Sequence, residues 1–325
     1  QIVSESSSAQ KEWGRLDIKS RIAIISDVGK MIIENSREYA EIITEEMGKP
    51  ILEAVAEVEK CALVCEYYAE NAEIFLEDKH LEYKAVKSFI SYEPLGIIFG
   101  IMPWNFPFWQ VFRFVIPAII AGNSVLVKHA PNVQASALTI EKIFHNGGVP
   151  RDIFRVLMID IDIVPEIIAD KKVKAVSLTG SELAGSKVAE CSGKNLKKIV
   201  LELGGSDAFI VLDDADLSRC VDSAVKSRML NNGQSCIAAK RFIVHSEVYD
   251  DFLKMLKESV DALIIGDPML DESQVGPLAR EDILDKIKNQ VERSVDLGAN
   301  IVCGGTRVGS VGYYYAPTIL TDITA

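Results

Sequence analysis

Residues 175–205 read AVSLTGSELAGSKVAECSGKNLKKIVLELGG, and this stretch decides the fold. Ala175–Leu178 is a short apolar run of strand length, Leu183–Ser192 has helical patterning, and Lys198–Leu203 is again strand-like. A strand, a crossover helix and a second strand make a βαβ unit, whose two strands run parallel because the helix carries the chain back to its starting edge. The pair Gly204-Gly205 then allows the backbone to change direction.

The same alternation extends outward on both sides. Ser88–Tyr92, Gly96–Ile101, Ser124–Lys128 and Phe154–Met158 read as extended, with helical segments at Trp109–Ala121, Val133–His145 and Val164–Asp170. Pro165 is tolerated there because it falls in a first helical turn. Beyond the glycines come a strand at Ala208–Leu212, a helix near Leu217–Leu230, a loop reaching Cys236, a strand at Arg241–His245 and an amphipathic helix at Val248–Leu263. The expected fold is α/β: a doubly wound, Rossmann-like domain over residues 1–203, then a second α/β domain over 204–325. Gly48-Lys49-Pro50 stops one helix and starts the next. That next helix carries Ile51, Val55, Val58, Ala62, Cys65, Ala69, Ala72 and Leu76 on one stripe, which places Cys65, and Cys61 one turn before it, as packing thiols. The chain opens on Gln1 and stops at Ala325 in what reads as mid-element sequence, so the fold is expected to be incomplete at both ends.

Composition removes several function classes. Thirty-five basic against 47 acidic side chains leave a net charge of −12, which repels a phosphate backbone and argues against nucleic acid as a partner. Six cysteines and four histidines over 325 residues form neither a disulfide framework nor a zinc-like spacing, so no metal is expected and free thiols point to the cytosol. Between Glu93 and Lys128 the only charge is Arg113, yet Pro103, Asn105, Pro107, Pro117 and Asn123 break the run, so it reads as core plus a loop rather than a membrane span. No signal peptide is visible.

Five local features carry chemistry. Gly180-Ser181-Glu182-Leu183-Ala184-Gly185 follows a strand and opens a helix, so its N–H groups could face a phosphate; a serine N-cap at a plain turn is the competing reading. Lys128 ends a strand, where parallel sheets bind ligands, or is simply solvated. Cys236 closes the polar loop Asn231-Asn232-Gly233-Gln234-Ser235, a setting that leaves a thiol accessible, with no histidine nearby to make a Cys–His hydrolase. Glu202 lies in the apolar strand Ile199–Leu203, so it is either paired with a cation or desolvated, and desolvation would suit a general base. Asn105, between Pro103 and Pro107, offers a rigidly held amide that could meet an oxyanion or merely stabilise its turn.

Taken together, Trp104-Asn105-Phe106-Pro107, Lys128, Gly180-Ser181, Glu202-Leu203-Gly204-Gly205 and Gly233-Gln234-Ser235-Cys236 resemble, in order and approximate spacing, the aldehyde dehydrogenase superfamily. Gly266-Asp267-Pro268, Gly276-Pro277-Leu278 and Gly312-Tyr313 through Pro317-Thr318 look like its later landmarks, so the resemblance runs over essentially the whole chain. It implies Cys236 as nucleophile, Asn105 with the Cys236 N–H as oxyanion donors, and Glu202 as the base that hydrolyses the thioester. It implies NADP or NAD as coenzyme, bound by Trp104, Lys128, Pro131, Gly180, Ser181, Gly185 and Leu203. It implies a small-molecule aldehyde substrate, a homodimer or homotetramer, and a role for the segment near 81–95 in assembly. Relatives that prefer NAD often carry a glutamate three residues after the lysine; Pro131 stands there, so NADP should be accepted. Family members usually continue for more than a hundred residues beyond this point, through further cofactor, substrate and subunit contacts.

The substrate rests on Arg113, eight residues after Asn105, because a guanidinium in an apolar stretch needs an anion. That anion is either a structural carboxylate of the protein or a carboxylate of the substrate. Lys128-His129-Ala130 and Ser235-Cys236-Ile237-Ala238-Ala239-Lys240-Arg241 resemble the shorter bacterial and archaeal succinate-semialdehyde dehydrogenases, which use an arginine at the Arg113 position, with Ser235 also facing substrate. Longer relatives add a second arginine six residues before the cysteine, where Leu230 stands. Glyceraldehyde or another small polar aldehyde is the alternative substrate. A CoA-acylating enzyme would typically lack the glutamate at 202, and a non-catalytic binding or structural protein on this fold is the reading of another class.

Overall fold

A two-stranded antiparallel ribbon, β1 (Lys79–His80) and β2 (Phe89–Ile90), precedes the main sheet in the computed structural model, which describes residues 1–82 and 87–323. Part of the segment near 81–95 expected to serve assembly, residues 83–86, therefore lies outside the described residues.

The main sheet has five parallel strands, β3 (Ile97–Ile101), β4 (Ser124–Lys128), β5 (Phe154–Val156), β6 (Val173–Thr179) and β7 (Lys198–Glu202), in the order β5-β4-β3-β6-β7. β4 is buried at every residue but its last, as a central strand covered on both faces requires. Helix Trp109–Ile120 carries Val111, Phe112, Val115, Ile116 and Ile119 inward, where the Phe144 ring stacks on Phe112 at 5.0 Å and lies tilted against Phe154 at 4.4 Å. A second cluster gathers Ile97, Phe99, Leu126, Val176 and Leu178.

Most strand limits shift by one or two residues from the sequence reading, and in the main sheet β5 and β6 shift furthest. β5 stops at Val156, although the Leu157 N–H still bonds the Val127 carbonyl at 2.7 Å. β6 begins at Val173, ahead of the expected Ala175, because Val173 pairs with Ile97 while Lys174 points to solvent. A lysine at an outward position hid that extension from an apolar-run reading.

One compact unit comprises residues 1–40 and 55–203; the other comprises residues 41–54 and the chain from Gly204 onward. In the second, β8 (Asp207–Val211) and β9 (Ala239–Val244) run parallel, and helices Leu217–Met229 and Tyr249–Asp261 pack Val221, Ala224, Phe252, Leu256 and Val260 with Val211. β10 (Asn300–Cys303) and β11 (Ile319–Thr321) form an antiparallel pair. Among the described residues no helix is long and apolar enough to cross a membrane.

Candidate active site

Chain order reverses between β3 and β6: β4 and β5 lie to one side of β3, β6 and β7 to the other. The crevice outside the carboxyl ends of two such strands is where open α/β sheets take their ligands. The register sets Ile101 beside both Lys128 and Leu178, and Thr179 beside Glu202. The Met102 N–H bonds the Lys128 carbonyl and the Gly180 N–H bonds the Glu202 carbonyl, each at 3.0 Å. The turn carrying Asn105, the lysine, the Gly180-Ser181 turn and Glu202 thus share one sheet edge.

The turn from Pro103 to Phe108 is gripped from two sides. Helix Trp109–Ile120 has no side-chain cap of its own at Phe108. Instead Glu57 Oε1 accepts the N–H groups of Phe108 and Trp109, both at 2.9 Å. Glu57 is buried, and the positive end of the helix is a favourable place for its carboxylate. On the other side the His129 ring, fully buried, lies 2.9 Å from the Pro107 carbonyl through Nε2 and 2.8 Å from the Ala130 N–H through Nδ1. Burial drives its pKa down from the usual 6.5 to about 4, so the imidazole is neutral at pH 7. Sequence reasoning assigned neither residue a role. A signal existed for Glu57: it lies one turn from Ala54 and Cys61 on the buried face of helix Ile51–Leu76. His129 stood in the sequence reading only within Lys128-His129-Ala130, after a buried strand, with no role of its own.

Glu202 and Arg113 meet at this edge. Arg113 Nη2 lies 3.4 Å from Glu202 Oε2 and 3.3 Å from Thr179 Oγ1. The Glu202 side chain is 54% exposed, so of the two states open to it, paired or desolvated, this structure has the paired one. Burial fails because β7 is the last strand of its sheet, with alternate residues turned to solvent.

The remaining candidates of this unit fall as follows. Lys128 is half-buried, its Nζ on the His129 carbonyl at 3.2 Å; burial lowers its pKa while the nearby Asp160 acts the other way. Pro131 is exposed and Trp104 half-buried. Ser181 caps helix Glu182–Lys194 through the Ala184 N–H at 3.3 Å, which is the N-cap reading of that turn. Gly185 lies inside that helix, where a Cβ would come 2.6 Å from Leu203 Cδ2; its bareness serves the packing of helix on strand. A half-buried ammonium at the switch point, an open first helical turn and the lack of an acid at 131 fit a dinucleotide with a 2′-phosphate.

In the second unit Cys236 ends a loop in a rarely adopted backbone conformation. Asn231, Asn232 and Gly233 have φ of 58°, 55° and 74°, left-handed values that asparagine and glycine tolerate best. Such a run persists only when its surroundings hold it. Asn232 donates to the Gly48 and Pro277 carbonyls at 2.8 and 2.9 Å and accepts from the Gly276 N–H at 2.7 Å. At Gly276 a Cβ would sit 2.3 Å from the Gly48 oxygen, so only glycine permits this approach. The Asn231 N–H bonds Glu53 Oε2 at 2.6 Å, Gln234 Oε1 accepts from the Ala279 N–H at 3.1 Å, and Arg228 holds the Gly233 carbonyl at 3.1 Å. Lys240 Nζ lies 2.8 Å from the Cys236 carbonyl. Cys236 itself is half-buried, whereas Ser235, expected to face substrate, is buried with its hydroxyl unpaired.

The model of the "Aldehyde dehydrogenase family" matches residues 1–325. A probable NADP+ succinate-semialdehyde dehydrogenase of Synechocystis sp. is 52% identical over 293 residues, covering 90% of this chain and 64% of the relative. An Escherichia coli succinate semialdehyde dehydrogenase for NAD(P)+ is 43% identical over 97% of this chain and 68% of its own length. Among solved structures, succinic semialdehyde dehydrogenase from Streptococcus pyogenes in complex with NADP+ superposes with a TM-score of 0.97 at 37% identity, covering 99% of this chain and 71% of that one. The chain thus spans about two thirds of the length of the relatives it matches.

Proposed function

This chain belongs to the aldehyde dehydrogenase family, and from that premise we propose that it oxidises an aldehyde, succinate semialdehyde foremost, to the carboxylic acid with NADP or NAD. The observation that carries the proposal is the convergence of the Asn105 turn, Lys128, Arg113 and Glu202 on the switch-point edge of one parallel sheet. The substrate rests on the Arg113 guanidinium beside that edge and on the printed names of the relatives.

In this reading the Cys236 thiolate forms a C–S bond to the aldehyde carbon, and the carbonyl π electrons move onto oxygen. The Asn105 amide and the Cys236 N–H hold that oxyanion, one such donor contributing about 10²–10³ in rate. A nicotinamide, when bound, would supply the hydride acceptor; loss of hydride from the tetrahedral carbon would leave a thioester on Cys236. Glu202 accepts a proton from water as the water attacks; the C–S bond breaks, the carboxylic acid departs and the thiolate returns. Lys128 would hold the adenosine ribose. With Pro131 in place of an acid, a 2′-phosphate meets no repulsion at that position, which supports use of NADP.

The chain is further proposed to work in the cytosol as a homodimer or homotetramer. All six cysteines are free, and Leu81, Phe89 and Ile90 on the ribbon are exposed apolar side chains. The deciding experiment is rapid mixing of Glu202→Gln with coenzyme and aldehyde. It should release about one reduced coenzyme per subunit and then stall. A wild-type protein that reduces neither coenzyme with any aldehyde overturns the proposal.

A further inference from the structure

We propose that His129 is a positioning residue, whose imidazole ties the strand end carrying Lys128 to the turn carrying Asn105 and so keeps the oxyanion donor in register with the coenzyme subsite. The tie is a matter of forced valence. The Ala130 N–H can only donate, so His129 Nδ1 must accept it at 2.8 Å. The proton is therefore on Nε2, which donates to the Pro107 carbonyl at 2.9 Å, an oxygen that can only accept. Both ring nitrogens are used and the ring is 1% exposed, so neither partner can turn to water instead.

What the ring joins gives the contact its meaning. Ala130 is next to Pro131 and two residues from Lys128, the positions assigned to the adenosine end of the coenzyme. Pro107 closes the turn that holds Asn105. The next two residues, Phe108 and Trp109, are fixed by Glu57 from the other side. Three consecutive residues after the asparagine turn are thus clamped by two buried side chains, and only His129 also touches the coenzyme strand. Misplacing a catalytic group by about 1 Å can cost 10²-fold in rate.

The catalytic half of this proposal rests on the aldehyde dehydrogenase reading; the mechanical half does not, so the test has two arms. The first is amide exchange in coenzyme-free protein. His129→Phe should speed exchange across residues 103–112 about tenfold and leave β6 unchanged; unchanged exchange at 103–112 overturns the tie. The second is the burst of reduced coenzyme. His129→Phe should slow it about 10- to 100-fold with little change in coenzyme Kd, and should slow it no further in an Asn105→Ala background. His129→Gln, whose amide nitrogen can still reach Pro107, should recover more than His129→Asn. A wild-type burst in His129→Phe, equal slowing in both backgrounds, or no difference between Gln and Asn overturns the positioning role. A wild type that reduces neither coenzyme with any aldehyde, but shows the expected exchange difference, overturns the activity reading while the tie stands.

Discussion

The Arg113 guanidinium lies 3.4 Å from the Glu202 carboxylate, so the charge suited to a substrate acid also engages the proposed base for deacylation. The two side chains are 31% and 54% exposed, and ion pairs that open to water are worth about 0–1 kcal/mol. In the proposed reaction a substrate carboxylate would displace Glu202 from Arg113 at little cost and so release the base as the substrate docks.

Arg113→Ala should lower kcat/KM for succinate semialdehyde about 10- to 100-fold, the worth of a hydrogen bond to a charged group. An uncharged four-carbon aldehyde should be nearly unaffected, and Arg113→Lys should recover only part of the loss, because an ammonium lacks the paired fork. Steady-state kinetics on both aldehydes decide it. Equal losses would assign Arg113 to orienting Glu202 alone.

Alkylation of the native protein should modify Cys236 first and abolish turnover, as Cys236→Ala should also do while leaving coenzyme affinity intact. Cys61 and Cys65 are fully buried, and burial pushes the Cys65 thiol up to about 12. Cys303 is likewise raised, mainly by burial. Peptide mapping after substoichiometric iodoacetamide gives the order; labelling of Cys303 with activity retained would refute the assignment.

Coenzyme choice should turn on residue 131. Wild type should use NADP at least as well as NAD, and Pro131→Glu should shift preference toward NAD by repelling the 2′-phosphate. Pro131 is exposed, so the substitution should leave the thermal midpoint nearly unchanged. Ratios of kcat/KM for the two coenzymes test it, and strict NAD dependence of the wild type would contradict it.

His129 gives stability a pH dependence. Its folded pKa, about 4, lies below the usual 6.5, so the unfolded chain binds the extra proton between those values. Its contribution is complete above about pH 6.5 and is lost as pH falls toward 4, roughly 3 kcal/mol in all at about 1.4 kcal/mol per pH unit. Urea unfolding at pH 7 and pH 5 should show wild type losing more stability than His129→Phe does; equal losses would mean the ring is protonated in place.

The sequence by itself determined the alternation of strand and helix, the place of Cys61 and Cys65 in the core, and the polar loop ahead of Cys236. These are local properties: periods of 2 and 3.6 are written in consecutive residues, and a glycine or proline acts on its own turn. Tertiary structure alone decided which residues meet. Arg113 reaches Thr179 across 66 positions, Glu57 reaches Trp109 across 52, and His129 reaches Pro107 across 22. Nothing periodic encodes those pairings, because they follow from the strand order β5-β4-β3-β6-β7, which lays the carboxyl ends of β3, β4, β6 and β7 along one edge. The same order left Glu202 on the outermost strand, and so decided between the two states its apolar run left open: the carboxylate is half in water and paired with an arginine.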